Sequence, residues 1–454
     1  MVSSSVILGL TTGFSVDQIL SPYIYVFYAS FLVAFLFTPI MRIVAMHFDV
    51  VDRPDKVRKM HSEPVAYLGG IAVFLGWLAG LAITQFLTLH SVPIGWPTSH
   101  LIIKFSIVIG ACIIIMLGLW DDIYGLKPAV KIAGQVMAAL FLWFEDVGKD
   151  AAKPIMQALL PFVNKVTGLG IDIEGPTMDM VIFVLSGFFV IAMVVGCCNA
   201  ANLMDGLDGL CGGVTAIIAA GFLFVAVHLA INGGGINTNS DALRVVLGLA
   251  LLGAVLGFIP YNFNPASIFM GDTGSMFLGF SCAVMIILTA QERPKWFLAT
   301  MVMFALPILD TALAFLRRYV NGRPLFSADK QHFHHQLVSR GFSVKQTVMI
   351  AYGLAVMFAL LGGVMVYIRT RYAVAVYLVV FGSIIVAAYK AGMVHERARV
   401  VKRQNLSGGA DIDATTTNID AGTVLEVKDE PTEPRVATVP SIALPGTWDN
   451  KSGS

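Results

Sequence analysis

Residues 181–210 read VIFVLSGFFVIAMVVGCCNAANLMDGLDGL, an uncharged apolar run that ends in two carboxamides and two carboxylates. About 20 apolar residues are enough for one helix to cross a bilayer. If this helix continued through the polar end, Asn202, Asp205 and Asp208 would lie three residues apart and neighbours would share a face. Ionisable side chains at a membrane boundary are costly without a cation, a metal or water, so the stretch predicts a functional site.

The composition extends this interpretation to the whole chain. Of 454 residues, 57% are hydrophobic and 13% are charged, which is too little charge for a soluble protein of this length. The net charge of +1 gives no argument for a nucleic-acid partner. We therefore predict an all-α, polytopic integral membrane protein with about eleven transmembrane helices. The apolar runs lie at 22–46, 68–89, 100–120, 129–145, 179–198, 210–231, 243–259, 268–289, 296–316, 347–368 and 373–391.

The distribution of basic residues predicts an orientation. One set of connections carries more than twice as many Lys and Arg as the other, and the positive-inside rule makes it cytoplasmic. The N-terminus is then outside and the C-terminus inside, and every polar motif falls on the cytoplasmic side. The first residues lack a basic region and a small-residue cleavage site, so no cleaved signal peptide is expected. We predict a transmembrane domain at 1–400 that contains the candidate site, and a disordered tail at 401–454, where the composition cannot form a core.

A second acidic motif follows the third apolar run. In LGLWDDIYGLKPAVK, Asp121 and Asp122 are adjacent and Lys131 lies on the next run. Neighbouring carboxylates repel each other at a membrane surface, which implies a partner cation or a proton. The alternative is that Asp and Gly simply end the helix.

A third motif, YNFNPASIFMGDTGS, places Asn262 before a proline and Asp272 between a glycine and a threonine. Mg²⁺ takes oxygen ligands from one or two carboxylates and leaves its other positions to water and substrate phosphates. Asp272 is the first candidate for such a ligand.

Two basic loops contain the remaining candidate binding residues. The first contains Lys59, which either binds an anionic ligand or only anchors the loop at the membrane. The second, GRPLFSADKQHFHHQL, holds Arg323, His332, His334 and His335. Three histidines are compatible with zinc, but no cysteine is near and the basic context favours a phosphate or a nucleotide.

Carboxylates that hold Mg²⁺, cations that neutralise charge and a group that orients an attacking oxygen are the parts of a phosphoryl transfer site. One substrate would come from water and one from the bilayer. A secondary transporter is the rival, since membrane carboxylates are also found in proton-coupled carriers. Carriers place these groups near the bilayer midplane, whereas here they lie at helix ends on one side.

At these motifs the sequence resembles the polyprenyl-phosphate N-acetylhexosamine-1-phosphate transferase family, over roughly residues 20–395. The similarity implies transfer of a sugar-1-phosphate from a UDP-sugar to a lipid phosphate in the bacterial inner membrane, with Mg²⁺ required and Mn²⁺ as a substitute. It implies Asp272 and Asn202 for the metal. Catalytic roles are implied for Asp121, Asp122, Asp205 and Asp208. Substrate contacts are implied for Lys59, Lys131, Asn199, Asn202, Asn262, Arg323, His332, His334 and His335.

The histidine loop also bears on the donor sugar. The branch that uses N-acetylglucosamine-1-phosphate has the pattern PDRxHIHH, and this chain reads ADKQHFHH, which departs from it at Ala328, Lys330 and Phe333. Lysine keeps the charge of arginine but loses its bidentate fork. The branch that takes UDP-MurNAc-pentapeptide has Phe-Glu after its histidines, which this chain lacks. UDP-GlcNAc and undecaprenyl phosphate are therefore the expected substrates, and a homodimer is left open.

Overall fold

The computed structural model describes residues 15–52, 64–89, 103–168, 170–232, 239–322 and 332–390, which fall within one unit, Met1–Arg397. The helices are α1 (Val16–Leu20), α2 (Ile24–His47), α3 (Gly69–Leu89), α4 (Phe105–Tyr124), α5 (Pro128–Phe144), α6 (Lys153–Thr167), α7 (Pro176–Met204), α8 (Leu210–Asn232), α9 (Asn239–Asn262), α10 (Gly271–Ala290), α11 (Pro294–Met303), α12 (Ala305–Val320), α13 (Phe333–Ser339), α14 (Val344–Met365) and α15 (Thr370–Lys390). A short 3-10 turn, Ser21–Tyr23, joins α1 to α2.

Each predicted apolar run coincides with helix. Eight spans in the described residues are long and apolar enough to cross a membrane, or nine if α11 and α12 count as one. The other apolar helices, α5 and the segment Thr370–Val386 of α15, are shorter. The protein is therefore a multi-pass, α-helical membrane protein. The expected number of eleven spans is not confirmed.

The run at 296–316, predicted as one straight span, is broken. Helices α11 and α12 meet at Phe304 with a bend of 75°. Pro307 explains the position of this break, because it has no N–H to bond the carbonyl of Met303 four residues earlier. The bend turns α12, and with it Asp310, away from the axis of α11.

The chain leaves the helix between the runs at 179–198 and 210–231, so the condition under which Asn202, Asp205 and Asp208 would share a helix face is not met. Helix α7 ends at Met204, Asp205 is its C-cap, and the chain turns before α8 begins at Leu210. Gly209 lies in this turn at φ 77°, a conformation that favours glycine. Asn202 therefore lies in the last turn of α7, Asp205 caps that helix, and Asp208 lies in the turn that follows.

Helix α10 forms the centre of the bundle. All of its residues except Asp272 are buried. Two glycines allow neighbours to approach its first turn closely: a Cβ on Gly70 of α3 would collide with the backbone of Gly274, and a Cβ on Gly118 of α4 with that of Thr273. Small residues permit such close packing of membrane helices. The first turn of α10, which carries Asp272, is thereby held on two sides.

Two short strands, which an all-α prediction did not include, tie the first polar loop to α10. Strands β1 (Val51–Asp52) and β2 (Val65–Ala66) pair antiparallel, with Val51 opposite Ala66. Ala66 also forms a parallel bridge with Ile268, and its carbonyl accepts the N–H of Phe269 at 2.8 Å. The loop after α2 is thus fixed against the segment that leads into Asp272.

Candidate active site

A cavity of about 590 Å³ opens where α2, α7 and α9 end and α10 begins. Five of the residues predicted from the sequence line it: Asp205, Asp208, Asn262, Asp272 and His335. Unpredicted lining residues include Arg42, Asp52, Tyr67, Asn264 and Phe269. The polar motifs, far apart in sequence, therefore meet at one end of the bundle.

Lys131 connects two of the predicted carboxylates. Its Nζ donates to Oδ2 of Asp272 at 2.7 Å and forms an ion pair with Oδ2 of Asp121. The other oxygen of Asp121 accepts the N–H of Leu126 at 2.6 Å, which fixes Asp121 at the end of α4. Lys131 therefore sets the distance between the two acids and balances part of their charge.

Asn202 completes the surroundings of Asp272. Its Nδ2 donates to Oδ1 of Asp272 at 2.8 Å and to Oγ of Ser275 at 3.0 Å. Since a carboxylate oxygen has about two acceptor positions, Asp272 keeps capacity for a further partner on both oxygens. The side chain lies in the first turn of α10, where the helix dipole stabilises a negative charge.

Asp122 acts as a cap for α10. Its Oδ1 accepts the N–H of Asp272 at 2.8 Å, and its Oδ2 accepts the N–H and the hydroxyl of Thr273 at 3.0 and 2.6 Å. The first N–H groups of a helix have no partner inside it, so a carboxylate at this position stabilises the helix start. Asp122 thereby positions Asp272; its predicted catalytic role stays a prediction.

Asp205 and Asp208 differ in their partners. Oδ2 of Asp208 accepts from Nδ2 of Asn264 at 2.9 Å and from the N–H of Ala266 at 3.1 Å. The Asp205 carboxylate has no hydrogen-bond partner within the described part of the chain. Burial, and then the charges of Asp272, Asp122 and Asp208, raise the pKa of Asp205 to about 8. Asp205 is thus the cavity carboxylate most in need of a cation.

The two remaining asparagines brace the fold around the cavity. Asn262 accepts the N–H of Gly209 at 3.1 Å and donates to the carbonyl of Ile268 at 3.0 Å. Asn199 donates to Oε1 of Gln135 at 2.7 Å and does not line the cavity. Asn262 therefore holds the loops beside the cavity and Asn199 links α7 to α5, and a direct contact with substrate stays a prediction for each.

The histidine segment reaches the cavity from α13. Nδ1 of His332 lies 3.0 Å from Oδ2 of Asp310. His334 is buried against Gly206, and its Nε2 has no partner in the described residues. Burial, and then the neighbouring His335, lower the pKa of His334 to about 3, so its ring is neutral at pH 7. Only His335 of the three lines the cavity.

Sequence reasoning missed several polar residues that organise this site. Asp310 stands in a predicted span, and an ionisable residue at such a position is itself a signal of function. Thr273 and Ser275 lie inside a quoted motif, but the sequence analysis assigns them no role. Two predicted residues, Lys59 and Arg323, lie outside the described residues.

Mg²⁺ fits the oxygen donors at this site better than zinc fits the histidines. In the part of the chain that the structure describes, no three His, Cys, Asp or Glu side chains converge as a metal-binding group. Zinc sites commonly use three or four protein ligands, which is more than any such group in the described residues supplies. Mg²⁺ needs only one or two protein carboxylates. Asp272 and the unpartnered Asp205 beside the cavity meet that lower requirement.

Comparison with known proteins agrees with this arrangement. A sequence model described as glycosyl transferase family 4 matches residues 104–290. A probable undecaprenyl-phosphate N-acetylglucosaminyl 1-phosphate transferase of Bacillus subtilis is 33% identical over 336 residues, which cover 74% of this chain and 82% of that relative. This chain belongs to glycosyl transferase family 4. The resemblance drawn from the motifs is therefore confirmed.

Other relatives of this family 4 protein carry related names. A decaprenyl-phosphate N-acetylglucosaminephosphotransferase of Mycolicibacterium smegmatis is 30% identical over 337 residues, covering 71% of this chain and 76% of the relative. A phospho-N-acetylmuramoyl-pentapeptide-transferase of Desulforudis audaxviator is 28% identical over 313 residues, covering 67% and 85%. The family match at 104–290 contains every acidic motif and ends before the histidine segment.

Proposed function

We propose that this protein transfers N-acetylglucosamine-1-phosphate from UDP-GlcNAc to undecaprenyl phosphate, which gives undecaprenyl-pyrophosphoryl-GlcNAc and UMP. The observation that carries the proposal is the cavity itself, where Asp205, Asp208 and His335 stand beside Asp272 and its partner Lys131. The reaction would initiate a cell-envelope polysaccharide. The names of the relatives from Bacillus and Mycolicibacterium support both the lipid class and the sugar.

The histidine segment supports a phosphorylated donor. His335 lines the cavity, and its neighbours on α13 pack against the turn that holds Asp205 and Asp208. Imidazole N–H groups donate to phosphate oxygens, and histidine changes its charge near neutral pH. We place the diphosphate of UDP-GlcNAc between this segment and Asp272, with Lys131 adding positive charge beside it.

A divalent cation is part of the proposal. Asp272 would hold Mg²⁺, with Asn202 fixing the orientation of that carboxylate and Asp205 close enough in the cavity to share its charge. Bound Mg²⁺ would neutralise the diphosphate and polarise its phosphoryl oxygens. Mn²⁺ prefers similar oxygen ligands and would substitute.

The chemical step is a direct displacement. An oxygen of the lipid phosphate bonds to the β-phosphorus of the donor, and the bond from that phosphorus to the bridging oxygen breaks. UMP leaves with the electron pair. The second pKa of a phosphate monoester is about 6, so the attacking group is already largely ionised at pH 7 and needs orientation more than deprotonation. Asp121, held by Lys131 and Leu126, is the group we assign to that orientation.

Sidedness belongs to the same proposal. The site faces the cytoplasm in the bacterial inner membrane, because the basic connections and all the polar motifs share one side. In a cysteine-free background, Ser339→Cys on α13 should react with a membrane-impermeant maleimide only after the inner membrane is permeabilised. Glu174→Cys, on the connection between α6 and α7, should react in intact spheroplasts. The reverse pattern would overturn the orientation.

The decisive assay supplies membranes that contain the protein with radiolabelled UDP-GlcNAc and undecaprenyl phosphate. We expect a product that extracts into organic solvent, that needs Mg²⁺ and that disappears with EDTA. Membranes with the Asp272→Asn variant are the matched control. If no UDP-N-acetylhexosamine gave a lipid-linked product, the transferase proposal would be wrong. The secondary transporter would then be the remaining hypothesis.

UDP-MurNAc-pentapeptide is the second donor to test. It is favoured by the name of the Desulforudis relative, and it is disfavoured by Gln336 and Leu337, which follow the histidines where that branch has Phe-Glu. Parallel assays with UDP-GlcNAc, UDP-GalNAc and UDP-MurNAc-pentapeptide should give product with UDP-GlcNAc alone. A higher kcat/KM for the pentapeptide donor would reassign the substrate and leave the reaction type unchanged.

A further inference from the structure

Asp310 is a buried acid that the proposed reaction does not use. It lies on α12, in the half of the broken span that follows the bend at Phe304. Its side chain does not line the cavity, and it is about as buried as that of His332, at 6% exposure each. A carboxylate held this far from water requires partners for its charge.

Both carboxylate oxygens of Asp310 contact the histidine segment. Oδ2 lies 3.0 Å from Nδ1 of His332, and Oδ1 accepts the N–H of Phe333 at 2.8 Å. An ionised carboxylate only accepts hydrogen bonds, so Nδ1 of His332 must carry the proton of this contact. Asp310 thereby fixes the tautomer of one histidine and the first N–H of α13 at the same time.

The start of α13 in turn places the other two histidines. His334 lies in its first turn and packs against Gly206, between the two acids of the turn after α7. His335 follows and lines the cavity. A shift of the first residue of α13 would move both rings, because the helix has only seven residues.

We propose that Asp310 is a positioning residue that orients the histidine segment toward the nucleotide-sugar. This inference rests on the proposed function for its kinetic part only. Carboxylates commonly orient the histidines that bind metals, and loss of such a partner costs about 10- to 100-fold in metal affinity or activity. We infer the same orienting role for Asp310 at a histidine that would serve a phosphorylated ligand. Asp310 acts through His332 and touches no substrate.

The kinetic test is a double-mutant cycle. Asp310→Asn keeps an oxygen for the N–H of Phe333 and removes the acceptor for Nδ1 of His332. We expect KM for UDP-GlcNAc to rise about tenfold and kcat to change less than about threefold. The reason is that the lost hydrogen bond involves a charged group, and such hydrogen bonds contribute more than those between neutral groups. In the His332→Gln background, the same change should alter KM less than about twofold. Equal effects in both backgrounds would show that Asp310 does not act through His332.

Asp241→Asn is the matched control. Asp241 is another buried acid on a helix, paired with Arg244 at 2.5 Å and remote from the cavity residues. Its loss should lower the melting temperature and leave KM for UDP-GlcNAc unchanged. A rise in KM for both variants would mean that destabilisation, not orientation, explains the effect of Asp310→Asn.

A spectroscopic test does not depend on turnover. In ¹⁵N-histidine-labelled protein in lipid vesicles, His332 is assigned by its absence in the His332→Gln variant. Its Nδ1 should be protonated in the wild type and should change its shift in Asp310→Asn. An unprotonated Nδ1 in the wild type overturns the proposal. If the wild type made no product with any donor, the proposed function would fail and this result would still decide the role of Asp310.

Discussion

The two ends of α10 carry two different charged clusters. We call Asp121, Lys131, Asn202 and Asp272 the N-terminal cluster, and Asp241, Arg244 and Glu292 the C-terminal cluster. The 20 residues of α10 separate them by about 30 Å. Each cluster suits the helix dipole, since an acid lies at the first turn and an arginine lies beside the carbonyl of Leu288 near the last.

The clusters differ in what they leave unpaired. Both terminal nitrogens of Arg244 are paired, with Asp241 at 2.5 Å, Glu292 at 2.9 Å and the carbonyl of Leu288 at 3.0 Å, and only its buried Nε lacks a partner in the described residues. The N-terminal cluster adjoins a cavity that contains Asp205 and Asp208, with acceptor positions that protein groups do not fill. Unused acceptors beside open space distinguish a binding site from a structural ion pair. Four substitutions test that distinction.

Asp272→Asn should have the largest effect. The change keeps the shape of the side chain and removes the charge that would face a cation, so we expect kcat to fall about 10³-fold, as when an electrostatic group of an active site is lost. Initial rates of lipid-linked product formation measure this. The melting temperature should change little, and a loss of less than tenfold would remove Asp272 from the centre of the site.

Asp241→Asn should break the C-terminal cluster and leave the chemistry intact. Removal of one partner from a buried ion pair costs about 3–5 kcal/mol of unfolding free energy. Thermal unfolding in detergent should show a clear loss of stability. The transfer rate per folded molecule should stay within about twofold, and a larger loss of rate would show that the two ends of α10 are coupled.

Gly206→Ala probes the contact between the turn after α7 and the histidine segment. A Cβ at this position would collide with Nε2 of His334, so the ring must move. Overpacking of this kind costs about 1–3 kcal/mol, and we expect KM for UDP-GlcNAc to rise about tenfold. Gly196→Ala on the same chain segment is the control, because a Cβ there meets no atom within 4 Å. Equal effects of the two changes would contradict the steric explanation.

The smallest predicted effect is the contribution of Asp205 to the pH dependence of stability. Burial raises its pKa to about 8, so the folded protein retains a proton that an unfolded chain releases near pH 4. The unfolded state then binds fewer protons, and this residue lowers stability progressively as pH rises from about 4 to about 8. In EDTA, the melting temperature of the wild type should fall more between about pH 5.5 and pH 8.5 than that of Asp205→Asn. Parallel curves would refute the raised pKa.

Much of this site follows from the sequence because its motifs combine costly groups with apolar runs. Asp121, Asp205, Asp208 and Asp272 each stand at the end of such a run, and the connections that carry them share one side. Burial of the runs then brings the motifs together at one end of the bundle. The membrane limits where the charges can lie, so a few local patterns were enough to predict a long-range arrangement.

The features that the sequence analysis did not predict depend on where helices bend or end. The run at 296–316 shows no break in its hydropathy, and Pro307, which marks the position of the 75° bend, was given no role in the prediction. Asn202 and Asp208 do not share a helix face, because α7 ends at Met204 and two Asp-Gly pairs occupy the turn that follows. The sequence also does not show that Asn199 donates to Gln135 or that Asn262 accepts the N–H of Gly209, because both partners lie far away in sequence.

The close packing at Gly70, Gly118 and Gly274 limits how this enzyme can be re-engineered. Any larger side chain at these positions would displace the backbone of α10 and with it Asp272. Residues 264–267, which line the cavity, belong to the connection between α9 and α10 and contact only one oxygen of Asp208. A library that aims at a new donor sugar should therefore vary that connection and leave the three glycines fixed.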